Sequence, residues 1–189
     1  MDLSSSSIRS GEGVLLRPWQ PMDTDALYGA VDVSRAQLMQ WLPWCSDAYC
    51  RADTVAWIDF CRASWAQQRE FPMGVFDAVS GEVLGGIGIN HLDRANRRGA
   101  MGYWVATPRS GQGIARRAAR LAADFAFADL QLNRIEIVIL PDNIASRRVA
   151  QALSARWECD ARERIVHHGE ARSASIYSLL RADFAAPQT

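Results

Sequence analysis

The sequence predicts a single α/β (α+β) domain, built on a mixed central sheet of about seven strands with helices on both faces. Three observations point there. An apolar run ending at Thr107 meets a glycine turn, then a helix from Ile114, then a β-rich run over residues 134–140. Short β-type runs divided by turn residues stand on either side of this unit. Helical apolar spacing appears both before and after it.

In chain order, residues 14–17 form a short first strand, and Asp23 can cap a helix running through Leu27 and Val31. A W-L-P-W segment follows at residues 41–44, where Pro43 blocks regular continuation. Asp53 or Thr54 can start a second helix, with Val55, Ile58, Cys61 and Trp65 on one face. After Pro72, β runs over residues 73–79 and 82–92 flank a turn at Ser80-Gly81. Asn96 to Arg98 reads as the next turn, leading into the strand that ends at Thr107. Past residues 134–140, Pro141-Asp142-Asn143 breaks the β run, and Asn143 can cap a helix to about Ala155. Two final strands, 162–167 and 173–180, turn at Gly169. No internal repeat or linker is visible.

Composition bounds the function classes. At 189 residues, 49% hydrophobic and with a formal net charge of zero, the chain can bury one substantial core. One domain over residues 1–189 is expected, with its core at about 12–184. Neutrality argues against a nucleic-acid partner held by phosphate charge. The start, M-D-L-S-S-S-S-I-R-S, has no apolar leader region, and no run approaches the roughly 18 to 20 apolar residues of a membrane span. A cytoplasmic protein without a membrane partner is the expectation. Cys45, Cys50, Cys61 and Cys159 form no C-x-x-C pair and sit in or beside apolar runs, which predicts buried free thiols. His91, His167 and His168 make no metal-ligand spacing, so no metal is expected, and His167-His168 beside Gly169 reads as hairpin surface.

The most informative stretch is residues 102–115, G-Y-W-V-A-T-P-R-S-G-Q-G-I-A. Glycines let a backbone approach an anion closely, and the first turn of a helix from Ile114 offers unpaired N–H groups and the positive end of its dipole. All 21 basic residues are arginine. That excludes a P-loop, which needs Gly-Lys-Ser/Thr, and any lysine Schiff base. A dinucleotide fingerprint would want glycine where Arg116 stands and an acid at the end of the next strand, whereas Glu136 lies mid-strand.

The third phosphate fold is the acyl-CoA site of the GNAT acetyltransferases, whose central motif is Gln/Arg-x-x-Gly-x-Gly/Ala. Residues 110–115 resemble it, with Ser110 departing from Gln/Arg at the first position and Arg109 standing next to it. The chain is similar to the RimJ/RimL type of N-terminal acetyltransferase over most of its length. The matching marks are L-L-R-P-W, W-L-P-W at 41–44, G-G-I-G-I-N-H-L at 85–92, G-Y-W at 102–104 and N-I-A-S at 143–146. The resemblance implies that two neighbouring parallel strands, one holding Tyr103, Trp104 and Val105 and the other residues 134–140, splay apart. The pantetheine of acetyl-CoA would enter the gap and bond their free backbone groups as an added strand does.

The resemblance also implies roles. Gly111, Gln112, Gly113, Ile114 and Ala115 would cradle the pyrophosphate, with Arg109 and Arg116 as its cationic partners. Asn143 would contact pantetheine or an ordered water, besides capping its helix. Glu163 is the candidate base, against a solvated glutamate between Arg162 and Arg164. A free α-amine has a pKa of about 7.7 to 8.0, so a modest base or a water relay suffices. Ser146 would protonate the CoA thiolate, against simple first-turn capping; Tyr177 is a second candidate, against core packing. Trp41, Trp44 and Asn90 would face the acceptor, although Trp41 beside Leu38 and Leu42 also suits the core.

By the same resemblance the acceptor is a protein N-terminus, such as a ribosomal protein beginning with Ser or Ala, and the enzyme can pair as a homodimer. Polyamines, antibiotics and aminoacyl nucleotides remain alternative acceptors, with Asp47, Asp53 and Asp59 too scattered to argue a polyamine site. A non-catalytic CoA-binding module and a nucleotide-binding domain of another class are the remaining readings.

Overall fold

The computed structural model describes residues 8–185. The outermost segments of the expected 1–189 domain, including most of the stretch read for a leader, lie outside the described residues. Eight strands form one sheet in the order β1-β2-β3-β4-β5-β6-β8-β7. A hairpin of β1 (Arg9–Gly11) and β2 (Val14–Pro18) begins it, and β3 (Phe71–Asp77), β4 (Val83–Asp93) and β5 (Arg98–Val105) continue it antiparallel. β6 (Arg134–Ile139) joins β5 in parallel, and β7 (Arg156–His167) and β8 (Glu170–Leu180) close the far edge. The eighth strand, β1, is three residues, R-S-G, with no apolar signal to announce it.

Helices cover both faces. On one lie α1 (Thr24–Asp32), the short α2 (Arg35–Met39) and α3 (Arg51–Ala66). On the other lie α4 (Ile114–Ala128) and α5 (Ile144–Ala152), and α6 (Arg181–Ala185) ends the described chain. Strand alternation feeds two cores: Val14 and Leu16 enter the α4 side, while Leu15 between them packs with Trp19, Leu27, Val31 and Ile58 on the α1–α3 side. The α4 face is alanine, with Ala118, Ala119, Ala122, Ala123 and Ala126 all buried. Small side chains let the helix axis approach the sheet closely and leave its N-terminus fixed at the end of β5. Among the described residues no helix is long and apolar enough to cross a membrane.

Several expectations shift on contact with the structure. Asp23 precedes α1 but does not cap it; its carboxylate accepts from the Gln20 N–H at 2.8 Å and takes both Arg17 nitrogens at 2.7 Å. α3 begins at Arg51, because Asp53 sits one turn inside and reaches back to the Cys50 N–H at 2.8 Å. Its buried stripe is Thr54, Ile58, Cys61 and Ser64, and Val55 is exposed. Of the four free thiols, Cys45 and Cys61 are buried as expected, while Cys50 and Cys159 are exposed. β7 starts at Arg156, six residues before the expected 162, since a nearly wholly exposed edge strand carries no apolar alternation.

Three strands are tied by one carboxylate. Glu158 on β7 accepts from Arg134 of β6 at 2.7 and 2.6 Å and from the Ser178 hydroxyl of β8 at 2.7 Å. These donors, Arg134 first, hold its pKa down to about 2. A depressed carboxylate stabilises the fold above its unfolded value of about 4.3, and that contribution fades as pH falls toward about 2. Glu158→Gln therefore flattens the loss of stability in this window, and at neutral pH, with the pair partly exposed, it lowers stability by about 0.5 to 1 kcal/mol; urea titrations at stepped pH measure both. On α4, Ala122→Leu is expected to lower stability by about 1 to 3 kcal/mol through overpacking, read by the same titration.

Candidate active site

The parallel pairing of β5 with β6 holds for only three pairs: Arg98 with Arg134, Gly99 with Ile135 and Ala100 with Glu136. Beyond them the strands part. Residues 101–105 remain bonded to β4 on their other side, and residues 137–139 to β8. Each strand thus keeps one unpaired backbone edge facing a groove, lined by Met101 to Val105 on one bank and Ile137 to Leu140 on the other. Unpaired buried peptide groups are costly, so such an edge is stable only when water or a ligand bonds it.

At the open end of this groove β5 passes through a 3₁₀ turn (Thr107–Arg109) into the glycine turn. Gly111 has φ +77° and Gly113, the N-cap of α4, has φ +72°. Nothing lies within 4 Å of a Cβ built on either, so these positions need glycine for backbone conformation and not for space. The first helical bond is Arg117 N–H to the Gly113 carbonyl, which leaves the N–H groups of Ile114 to Arg116 without intrahelical acceptors. Arg109, Arg116 and Arg148 line the groove, and no acidic side chain does. Arg109 is ion-paired with Glu82, Arg116 lies 3.6 Å from Glu12, and Arg148 has no such partner among the described residues. The arrangement suits a ligand with several phosphates at one end.

Deeper in the groove, Asn143 caps α5 by accepting from the Ser146 N–H at 3.0 Å. This fixes Ser146, whose hydroxyl lies 3.0 Å from the phenolic oxygen of Tyr103. Tyr103 also donates to the Ser146 carbonyl at 3.1 Å. Burial pushes the phenol up to about 12, with the Ser146 bond opposing it, so Tyr103 is a protonated donor through the neutral range.

A second cavity, of about 770 Å³, opens on the α1–α3 face of the same strands. Its floor includes Gly86, Gly88 and Gly102, of which Gly88 and Gly102 are paired across β4 and β5. Its walls are aromatic, from Trp44, Tyr49, Trp57, Phe60 and Trp104, and its charged residues are Asp53 and Glu70, with no basic side chain. The two cavities share Leu42, Gly102, Tyr103 and Trp104.

Known proteins agree with this geometry. The sequence profile of the acetyltransferase (GNAT) domain family matches residues 14–156. The chain belongs to the GNAT acetyltransferase family. It is an acetyl-CoA-dependent N-acetyltransferase of RimJ/RimL likeness. YdaF of Bacillus subtilis, a protein whose name proposes ribosomal N-acetylation, is 28% identical over 178 residues, covering 92% of this chain and 94% of that one. The structure of RimJ from Mycobacterium smegmatis in complex with CoA-disulfide aligns with a TM-score of 0.81 and 27% identity, over 96% of this chain and 88% of that one. The ribosomal-protein-S5-alanine acetyltransferase of Vibrio fischeri shares the fold, with a TM-score of 0.83 at 22% identity over 95% and 99% of the two chains.

In this GNAT fold most of the expected cofactor residues converge. Tyr103, Trp104, Val105, Arg109, Gly111, Gly113, Ile114, Ala115, Arg116 and Asn143 all line the groove, as does Ser146. Gln112 does not; its amide lies against the Pro108 carbonyl at 3.5 Å. Trp44 and Asn90 line the aromatic cavity, whereas Trp41, just past the short α2, lines the groove together with Gln37 and Leu38 of that helix. Tyr177 is fully buried on β8, its hydroxyl accepting from Arg147 at 3.2 Å, and it reaches neither cavity. Glu163 is exposed with φ +49° where β7 slips register between Ala161 and Ile165, outside both linings.

The sequence missed the Tyr103 phenol, taken only for its backbone, and also Arg148, Glu70 and the Trp57–Phe60 pair. Strand alternation could have found the phenol, since residues 103 and 105 share the face opposite Gly102 and Trp104. Gly113→Ala is expected to cost about 1 to 2 kcal/mol of stability from the left-handed backbone alone. It should also reduce the upward shift in unfolding temperature that CoA produces; scanning calorimetry with and without CoA measures both.

Proposed function

We propose that the protein moves an acetyl group from acetyl-CoA to the N-terminal α-amine of a protein, with a ribosomal protein as acceptor. The observation that carries this reading is the division of charge between two adjoining cavities. Arginine alone supplies charge to the groove, and carboxylates alone supply it to the aromatic cavity. An anionic donor and a cationic acceptor are thereby sorted to opposite faces of one shared wall, Gly102 to Trp104. The name borne by YdaF supports the ribosomal acceptor, which would place the reaction in the cytoplasm.

Acetyl-CoA supplies the activated acetyl thioester. The chain's own residues bind, orient and move protons. The glycine turn, the first N–H groups of α4 and Arg148 take the phosphates, and the open edges of β5 and β6 take the amides of the arm. The Ser146 hydroxyl, backed by the Tyr103 phenol at 3.0 Å, holds the proton that the departing sulfur needs. On the acceptor side Glu70 is half-buried in the cavity and makes no hydrogen bond or ion pair among the described residues. It is free to receive an ammonium and take its proton, directly or through water, and its position suits the base better than that of Glu163.

Acetyl-CoA and CoA are expected to raise the unfolding temperature while NAD and ATP do not, because only a ligand of the folded state stabilises it; no rise with either CoA species would sink the reading. Ser146→Ala should lower kcat by about 100-fold while leaving the acetyl-CoA shift intact, followed by thiol release from acetyl-CoA with a Ser- or Ala-initiated peptide. Glu70→Gln should slow transfer in the same assay and Glu163→Gln should not. A protein that binds CoA but acetylates no amine would be a CoA-binding module instead.

A further inference from the structure

Helix α3 carries two stripes, and the core requires only one. Thr54, Ile58, Cys61 and Ser64 are its buried residues. Asp53, Trp57 and Phe60 fall at the same i, i+4, i+7 spacing on a neighbouring face, and all three line the aromatic cavity. Trp57 and Phe60 stack on one another at 5.3 Å with their planes 21° apart, yet remain 43% and 40% exposed. Trp44, 46% exposed, stands within the same cavity, 5.7 Å from Tyr49 and 6.3 Å from Trp104. Folding gains little from leaving three large rings part-exposed around one space. The Tyr49 ring is in turn held by a bond of 2.9 Å between its hydroxyl and that of Thr54.

The rest of the cavity narrows the occupant. Strands β3 and β4 are bonded on both sides along its floor, and the one free strand edge, that of β5 beyond Ala100, borders the neighbouring groove, so side chains supply most of what this cavity offers an occupant. Gly102 leaves open space where a side chain would stand. The carboxylate of Asp53 is held below its usual range by the Cys50 N–H, and Glu70 is unpaired among the described residues, so the cavity is anionic. A cavity of about 770 Å³ is large for a thin aliphatic chain and matches a ring-bearing molecule.

We propose that this cavity selects an acceptor whose amine is carried next to an aromatic ring, with the ring packed against the Trp57–Phe60 and Trp44–Trp104 walls and the ammonium drawn to Glu70. The inference rests on the acetyltransferase reading and adds the acceptor's chemistry to it. Two sources offer that chemistry: an arylalkylamine, or a protein N-terminus with an aromatic residue at its second position. The reaction forms an amide C–N bond and breaks the thioester C–S bond, with the amine proton passing to the carboxylate or solvent and a proton returning to the CoA sulfur.

The test compares matched acceptors by thiol release from acetyl-CoA: phenethylamine against propylamine, a Ser-Phe-initiated against a Ser-Ala-initiated hexapeptide, and spermidine as a ringless polycation. Calorimetry with the CoA-loaded protein measures binding of the same five. The ring-bearing member of at least one pair should lead in kcat/KM or in affinity by about 3- to 10-fold, and the pair that shows it identifies the source. In a Trp57→Ala/Phe60→Ala variant the preference should fall toward one, with the acetyl-CoA shift in unfolding temperature retained as proof of folding. Equal performance within both pairs, a preference that survives the double variant, or spermidine as the best acceptor would overturn the inference. Loss of the acetyl-CoA shift in the parent protein would instead overturn the acetyltransferase reading beneath it.

Discussion

Everything in this molecule hangs on the early end of one parallel pairing. Three pairs hold β5 to β6, and then each strand turns its hydrogen bonds away, β5 to β4 and β6 to β8. Open backbone edges in a protein interior are unstable by themselves, and the surrounding elements are placed so as to maintain the gap. The alanine face of α4 lets that helix lie close against the sheet, which sets its N-terminus at the mouth of the gap. The Asn143 cap sets Ser146 on α5 against Tyr103 across it. At the far edge, the Arg134–Glu158–Ser178 junction braces β6, β8 and β7 together, so the bank of the groove that lacks a long antiparallel neighbour on its open side is stiffened from behind.

How much of this could be read from the residues depended on whether the relevant signal was local. The glycine turn was legible because backbone conformation is encoded where it occurs: φ values of +77° and +72° at Gly111 and Gly113 fit the spacing of S-G-Q-G. The Asn143 cap and its reach to Ser146 were legible for the same reason. Seven of the eight strands followed from apolar runs, and the exceptions are physical. β1 is too short to show a pattern, and the first half of β7 is exposed on both sides, so nothing selects apolar residues there.

The aromatic cavity was less legible because it is made by contacts between distant segments. Glu163, the base that the family resemblance implies, stands exposed at the register slip of β7 and lines neither cavity. Glu70, which the fold does place in the cavity, has no local motif around it. On α3 the apolar spacing marks Ile58 and Cys61 as core, as the structure has them, whereas Trp65 is only partly buried and packs against the opposite core, and Val55 is exposed. The parallel stripe of Asp53, Trp57 and Phe60 has the same period, so periodicity alone could not tell a face that meets the core from one that meets a cavity.

The four residues common to both cavities, Leu42, Gly102, Tyr103 and Trp104, carry a thermodynamic obligation. Any ligand that orders or shifts this wall from one side alters what the other side offers, and the two effects are equal, since linkage between binding sites is reciprocal. If CoA stiffens the Tyr103–Trp104 backbone and so tightens the hold on an amine by some factor, the amine tightens the hold on CoA by that same factor. The shared wall therefore gives the two cavities one common coupling factor, and substitutions on it can change how strongly each ligand holds the other without touching the reacting atoms.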